Sequence, residues 1–174
     1  MKKTKQQQNV ISPTIQYNIR AASYADLPLW VDLYAGLLKD QHLPFQAGGP
    51  VCVENIVQDF IRDPNGIALM AISTTPGVYE GKVVGWVFAH CGPYPFSNEP
   101  IVSIRGWDVM PELRASGIGG ALLKSAKVWA QGRARIFTIG VNIDSSSNPE
   151  LAFNKLKKLG FQEFERTFYL DISK

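Results

Sequence analysis

Val109-Met110-Pro111-Glu112-Leu113-Arg114-Ala115-Ser116-Gly117-Ile118-Gly119-Gly120-Ala121-Leu122-Leu123 says more about the fold than any other stretch of this chain. It reads as a strand end entering a helix through an R-x-x-G-x-G-G turn. Helical spacing then puts Ile118, Leu122, Ala126 and Trp129 on one face, with Gly132 as a natural stop. Glycines let a backbone approach a ligand closely. The unpaired N–H groups of a helix's first turn point outward together, and the helix dipole adds partial positive charge. Such a turn suits a pyrophosphate. A dinucleotide fingerprint wants glycines at relative positions one, three and six, but counting from Gly117 puts Leu122 at the sixth. No window satisfies G-x-x-x-x-G-K-[ST] either, so the pattern favours some other pyrophosphate-bearing ligand.

Upstream, Thr14 to Arg20 alternates as a strand, and Ser23 precedes a helix from about Ala25 to Leu38 with Leu29, Leu33 and Leu37 on one face. The stretch Lys39 to Pro50 reads as a loop. A second helix from about Val53 to Arg62 is stopped by Asp63-Pro64-Asn65-Gly66. Three strands follow in succession, Ile67 to Thr74, Lys82 to His90 and Ile101 to Met110, separated by Pro76-Gly77 and by Pro93 and Pro95. Downstream of the glycine turn, Ile136 to Ile143 reads as a strand. A helix from about Pro149 to Leu159 ends at Gly160, and Phe161 to Leu170 supplies one or two last strands. Consecutive strands joined without helices imply antiparallel pairing at one end of a mixed sheet, and the β-α-β unit implies a parallel pair. The class is α/β of mixed α+β character, with helices on both faces.

The chain's 174 residues suit one domain, expected over residues 14–174 behind a flexible polar tail, 1–13. Apolar residues are 45% and charged residues 19% of the chain, enough for a packed core. The longest apolar run, Val83 to Ala89, is far short of the roughly 20 residues a membrane helix needs. No apolar run follows the basic start, so a cytoplasmic location is expected. A net charge of +3 is too small to argue for nucleic acid or an anionic membrane as partner. Cys52 and Cys91 lack C-x-x-C spacing and, with His42 and His90, form no ligand pattern. Both thiols are expected to be reduced, and no metal is expected.

The glycine segment resembles the acetyl-CoA-binding motif of the GNAT superfamily of N-acetyltransferases, V-x-P-x-x-R/Q-x-x-G-x-G/A before an L-L pair. Ala152-Phe153-Asn154-Lys155-Leu156-Lys157-Lys158-Leu159-Gly160-Phe161 resembles that family's second signature, A-x-x-L-Y-x-K-L-G-F. The likeness runs from about Ile15 to the C-terminus. It implies a largely antiparallel central sheet of six to seven strands and an acetyl-CoA-dependent transfer to a primary amine of a small molecule or peptide. The implied partners are acetyl-CoA and an amine acceptor, and a homodimer is left open.

Carried over to this chain, the likeness gives Arg114, Ala115, Ser116, Gly117, Ile118, Gly119 and Gly120 the CoA pyrophosphate. Trp107, Asp108 and Val109 would pair with pantetheine as a strand does. Asn148 would either contact pantetheine or cap its helix, standing one residue further from Gly160 than the family spacing. In direct acyl transfer the backbone N–H of Val109 is the implied donor to the thioester carbonyl. The family often draws a base from the fourth strand. On a regular strand Ser103, Arg105 and Trp107 would share the face of Val109, with no carboxylate among them, and Asp108 would point the other way.

The family's acid, a Tyr, is replaced here by Leu156, which reads as a core residue. Tyr169, Tyr94 or water could substitute. These gaps leave a second reading, an acyl-CoA-binding sensor without efficient catalysis, and a third, an O-acyltransferase. Arg105, expected to face the acceptor cleft, would either contact an anionic group of the acceptor or pair with Glu99, Asp40 or Glu54.

Overall fold

The computed structural model describes residues 14–30, 50–94, 99–140 and 149–163. Its elements are β1 (Tyr17–Ala21), α1 (Pro50–Arg62), β2 (Gly66–Ser73), β3 (Val83–Pro93), β4 (Pro100–Val109), α2 (Ile118–Ala130), β5 (Ile136–Ile139) and α3 (Pro149–Lys158). Residues 27–30 are helical after a single tight turn at Tyr24–Asp26. The rest of the expected first helix lies outside the described residues.

One sheet holds the five described strands in the order β1-β2-β3-β4-β5. β1 pairs antiparallel with β2 across the long connection that holds α1, β2, β3 and β4 pair antiparallel in chain order, and β4 pairs parallel with β5 because α2 carries the chain back across the sheet. Six to seven strands were expected. The segment that would supply the others, Phe161 to Leu170, is described only to residue 163, where it is irregular.

The apolar run of β2 is buried on both faces, which is why it lacks polar alternation. Leu69 and Ala71 join Val84, Val87 and Val102 against Ile118, Leu122 and Ala126 of α2 and Leu156 of α3. On the other face Ala68, Met70, Val83 and Phe88 pack with Val57 of α1 and with Trp30. Helices therefore cover both faces, as the three-strand run and the crossover imply. Each fully buried leucine such as Leu122 adds about 2 kcal/mol of hydrophobic stabilisation.

Past the end of β1, Ser23 and Asp26 fix the chain's turn into its first helix. The Asp26 carboxylate is 5% exposed and accepts from Arg20 Nη1 at 2.8 Å, Arg20 Nη2 at 2.6 Å and the Ser23 N–H at 2.8 Å. The bonds from the Arg20 guanidinium, with those from Ser23, hold this carboxyl well below the usual range despite its burial.

Two bulges interrupt the ladder. Ala71 pairs with Gly85 and Ile72 with Val83, so Val84 is an extra residue in β3. Phe88 pairs with Gly106 and Ala89 with Ile104, so Arg105 is an extra residue in β4.

Candidate active site

The second bulge reverses which side chains share a face. Val102 and Ile104 point to the α2 face before it, and Trp107 and Val109 do so after it. Ser103 therefore lies opposite Trp107 and Val109, which corrects the expectation that all three share a face. Its hydroxyl is engaged instead with Thr138 Oγ1 on β5 at 3.0 Å. Arg105, the bulged residue, is exposed and makes no ion pair among the described residues, and the pairings expected with Glu99 and Glu54 are not formed. Asp40 lies outside them.

β5 pairs with β4 only from Ile101 to Ile104. Among the described residues, nothing pairs with the β5-side edge of β4 from Arg105 to Val109. The Met110 N–H donates to Val84 O on β3 at 3.1 Å. Since successive N–H groups of a strand face opposite edges, the Val109 N–H faces this open one. There it donates to Asp108 Oδ1 at 2.7 Å. Arg114 reaches back from the turn, with Nε donating to Val109 O at 3.2 Å and Nη2 lying 3.4 Å from Asp108 Oδ1. The Arg114 side chain, which a solvated helix-start arginine would leave free, instead locks the end of β4.

A tight turn at Pro111–Leu113 leads into α2, whose start is left bare. Ala115 (φ 81°) and Gly117 (φ 93°) both adopt left-handed backbone, which glycine takes freely and alanine does not. No side chain caps the helix, and the first bond into it runs from Ala121 N–H to Gly117 O at 3.1 Å. The N–H groups from Gly117 to Gly120 stay available to an anion, while those of Arg114 and Ser116 donate within the turn to Pro111 O and Leu113 O. A Cβ at Gly117 or Gly120 would meet no atom within 4 Å, so open space stands before them. Ser116 Oγ is buried beside that space without a hydrogen-bond partner among the described residues. Gly119 differs, since its Cβ would stand 2.9 Å from Trp107 Cζ2. The Trp107 indole N–H donates to Gly119 O at 3.1 Å, tying strand edge to helix start.

A pyrophosphate fits this cradle and a strand-like chain fits the edge beside it. Acetyl-CoA carries both, and its thioester would lie by Val109. Leu156 is 6% exposed within the α2-side core, which confirms its structural role and removes it as an acid. Asn148 and Tyr169 lie outside the described residues. Tyr94, at the end of the β3 hairpin, donates its N–H to Glu99 O at 3.2 Å. Among the described residues no three His, Cys, Asp or Glu side chains cluster to hold a metal, and no helix is long and apolar enough to cross a membrane. The bond from the Val109 N–H to Asp108 escaped the sequence reading because a regular strand turns the Asp108 side chain away from Val109, and no sequence signal marks so short-range a contact.

The model of the acetyltransferase (GNAT) family matches residues 33–161. An aminoglycoside N(6')-acetyltransferase type 1 of Stenotrophomonas maltophilia is 27% identical over 154 residues, 87% of this chain and 90% of that protein. One of Klebsiella aerogenes is 34% identical over 70 residues, covering 38% of this chain and 43% of its own. Among solved structures, the aminoglycoside N-acetyltransferase AAC(6')-Iy in complex with CoA shares the fold at TM-score 0.70 and 16% identity, over 95% of this chain and 100% of that one. The matches favour neither the sensor nor the O-acyltransferase reading. With a family model spanning most of its length, the chain belongs to the GNAT family of acetyltransferases.

Proposed function

We propose that this acetyl-CoA-dependent N-acetyltransferase acts on an aminoglycoside or a similar amino sugar, at a 6'-type primary amine. The observation that carries the transfer reading is the bare start of α2 beside the open edge of β4. The acceptor class is supported by the Stenotrophomonas relative, which matches over 90% of its own length. In this reading the backbone from Arg114 to Gly120 takes the pyrophosphate, Trp107 to Val109 pair with pantetheine, and Val109 N–H takes the thioester oxygen. Asn148 adds a pantetheine contact and Tyr169 is the substitute acid, a role tested by a slower turnover in Tyr169→Phe. One or two final strands within Phe161 to Leu170 would complete a six- to seven-stranded sheet. The free thiols Cys52 and Cys91 suit a cytoplasmic location.

A second reading of the acceptor rests on Arg105, exposed and without an ion pair among the described residues. A guanidinium repels a polycation and offers a planar fork to a carboxylate or phosphate. An amino acid or peptide terminus would use it. The deciding experiment follows CoA thiol release across a panel of neamine, spermine, amino acids and short peptides. Amino sugars as best substrates, with Arg105→Ala near neutral, support the first reading. Anionic amines as best substrates, with KM raised in Arg105→Ala and acetyl-CoA affinity unchanged, support the second.

A further inference from the structure

We infer that the outer faces of α2 and α3 form a docking surface for an anionic lipid membrane, on which the protein lies without spanning it. The net charge of +3 conceals a separation of charge. Both helices cover the same face of the sheet, since Leu122, Ala126 and Leu156 share one core. Their outward stripes therefore look to the same side of the molecule. On α2 that stripe holds Lys124, Lys127 and Val128, at the helical spacing that sets them opposite Ile118, Leu122 and Ala126. On α3 Lys155, Lys157 and Lys158 surround the buried Leu156. The turn between α2 and β5 adds Arg133 and Arg135. All of these cations are exposed, and none joins a salt bridge among the described residues.

The opposite face of the sheet has the opposite sign. There α1, packed through Val57, carries Glu54 and Asp59, and Asp63 follows its end. Its one cation is Arg62, whose Nε donates to Tyr24 Oη at 3.2 Å. A molecule charged in this way turns its α2–α3 face toward a negative surface before contact.

Charge alone does not choose among polyanions, but the apolar side chains among the cations do. Val128, Ile136 and Leu159 are 59%, 49% and 50% exposed, and each directly follows a cation, Lys127, Arg135 and Lys158. The phosphates of a nucleic acid make no use of such side chains, and a single strand wants free aromatic rings for its bases. Trp129, at the rim of this surface, has its ring covered by Arg133, whose Cζ stands 4.6 Å from the ring centroid. At a bilayer surface the pairing has a use: lysine and arginine meet lipid phosphates while the aliphatic tips enter the acyl boundary. A cluster of about four to eight such cations holds a protein at anionic lipid. Lys127 and Val128 lie in the last turn of α2, away from the cofactor cradle at its start. Docking through them leaves that cradle free.

Sedimentation of the full chain with vesicles tests this, using phosphatidylcholine alone and phosphatidylcholine with about 30% phosphatidylglycerol, at about 0.05 M and about 0.5 M salt. Binding to the anionic vesicles is expected to exceed binding to the neutral ones by about tenfold or more, and to fall steeply at the higher salt. Lys127→Glu, Lys157→Glu and Lys158→Glu together should weaken it by about thirtyfold or more, and Gln at the same three positions by less. Acetyl-CoA affinity should stay within about twofold of wild type in both variants. Val128→Ser with Leu159→Ser should weaken vesicle binding by about threefold or more at unchanged charge. Equal binding to both kinds of vesicle, or to neither, overturns the inference. So does tighter binding of a single-stranded RNA oligonucleotide or of polyglutamate than of anionic vesicles, with the serine pair neutral. A loss of acetyl-CoA affinity of about tenfold or more in the glutamine variant overturns it as well, by giving these lysines to the cofactor's phosphates.

Discussion

Gly119 and Gly120 are chain neighbours under opposite constraints. A Cβ at Gly119 would press on Trp107 Cζ2 at 2.9 Å and Val109 Cγ2 at 3.3 Å, whereas at Gly120 it would meet nothing within 4 Å. Two substitutions should therefore separate packing from ligand repulsion. Gly120→Glu is expected to fold with Tm near wild type, because a carboxylate in a helix's first turn is favourable there. It should weaken acetyl-CoA by tenfold or more, about 1.4 kcal/mol, by setting negative charge against the pyrophosphate. Gly119→Ala is expected to lower Tm through displacement of Trp107, with affinity falling as the strand edge shifts. Calorimetry and a thermal melt on both variants check the pair. The R-x-x-G-x-G-G spacing made the anion site legible in sequence, but not that its glycines serve different ends, because the contact of Gly119 comes from a strand ten or more residues away.

At the scale of elements, β4 shows where a sequence pattern stops being sufficient. Its extent was legible to within a residue, since Ile101 to Met110 is rich in branched and aromatic residues and β4 runs Pro100–Val109. Its faces were not. A bulge is set by register against β3, and the local sequence Ser103-Ile104-Arg105-Gly106-Trp107 alternates no worse than a flat strand. One extra residue then carries Ser103 away from Val109. In α3 the pattern served well, as Leu156 at a helical core position is buried against the α2 side of the sheet. Leu156→Ala should cost about 3 kcal/mol of stability. Its kcat, measured well below the melting temperature, should stay close to wild type, because the residue holds α3 without entering the chemistry. A urea titration paired with initial rates checks both.

For the molecule as a whole, acid stability should depend on Asp26. Its folded carboxyl titrates below the unfolded value of about 4, so its contribution is full above that pH and is lost as pH falls toward the folded value. Asp26→Asn removes the charge and one of the two oxygens that accept from Arg20 and should cost about 2 kcal/mol at pH 7. The difference from wild type should be nearly the same in urea midpoints taken at pH 7 and 4 and clearly smaller at pH 2.5. The order of the described elements, the antiparallel run and the parallel crossover were legible in sequence because each follows from periodicity and connection length. The lock of Arg114 on β4 was not, because it depends on a left-handed turn whose residues the sequence names without their dihedral angles.

Trp107 stands half-buried with its indole N–H on the carbonyl of Gly119, between the strand edge and the first turn of α2. Indole emission follows the polarity and hydrogen bonding around the ring. The protein thus carries its own optical gauge of occupancy: filling the cradle changes the colour of one tryptophan, with no label attached.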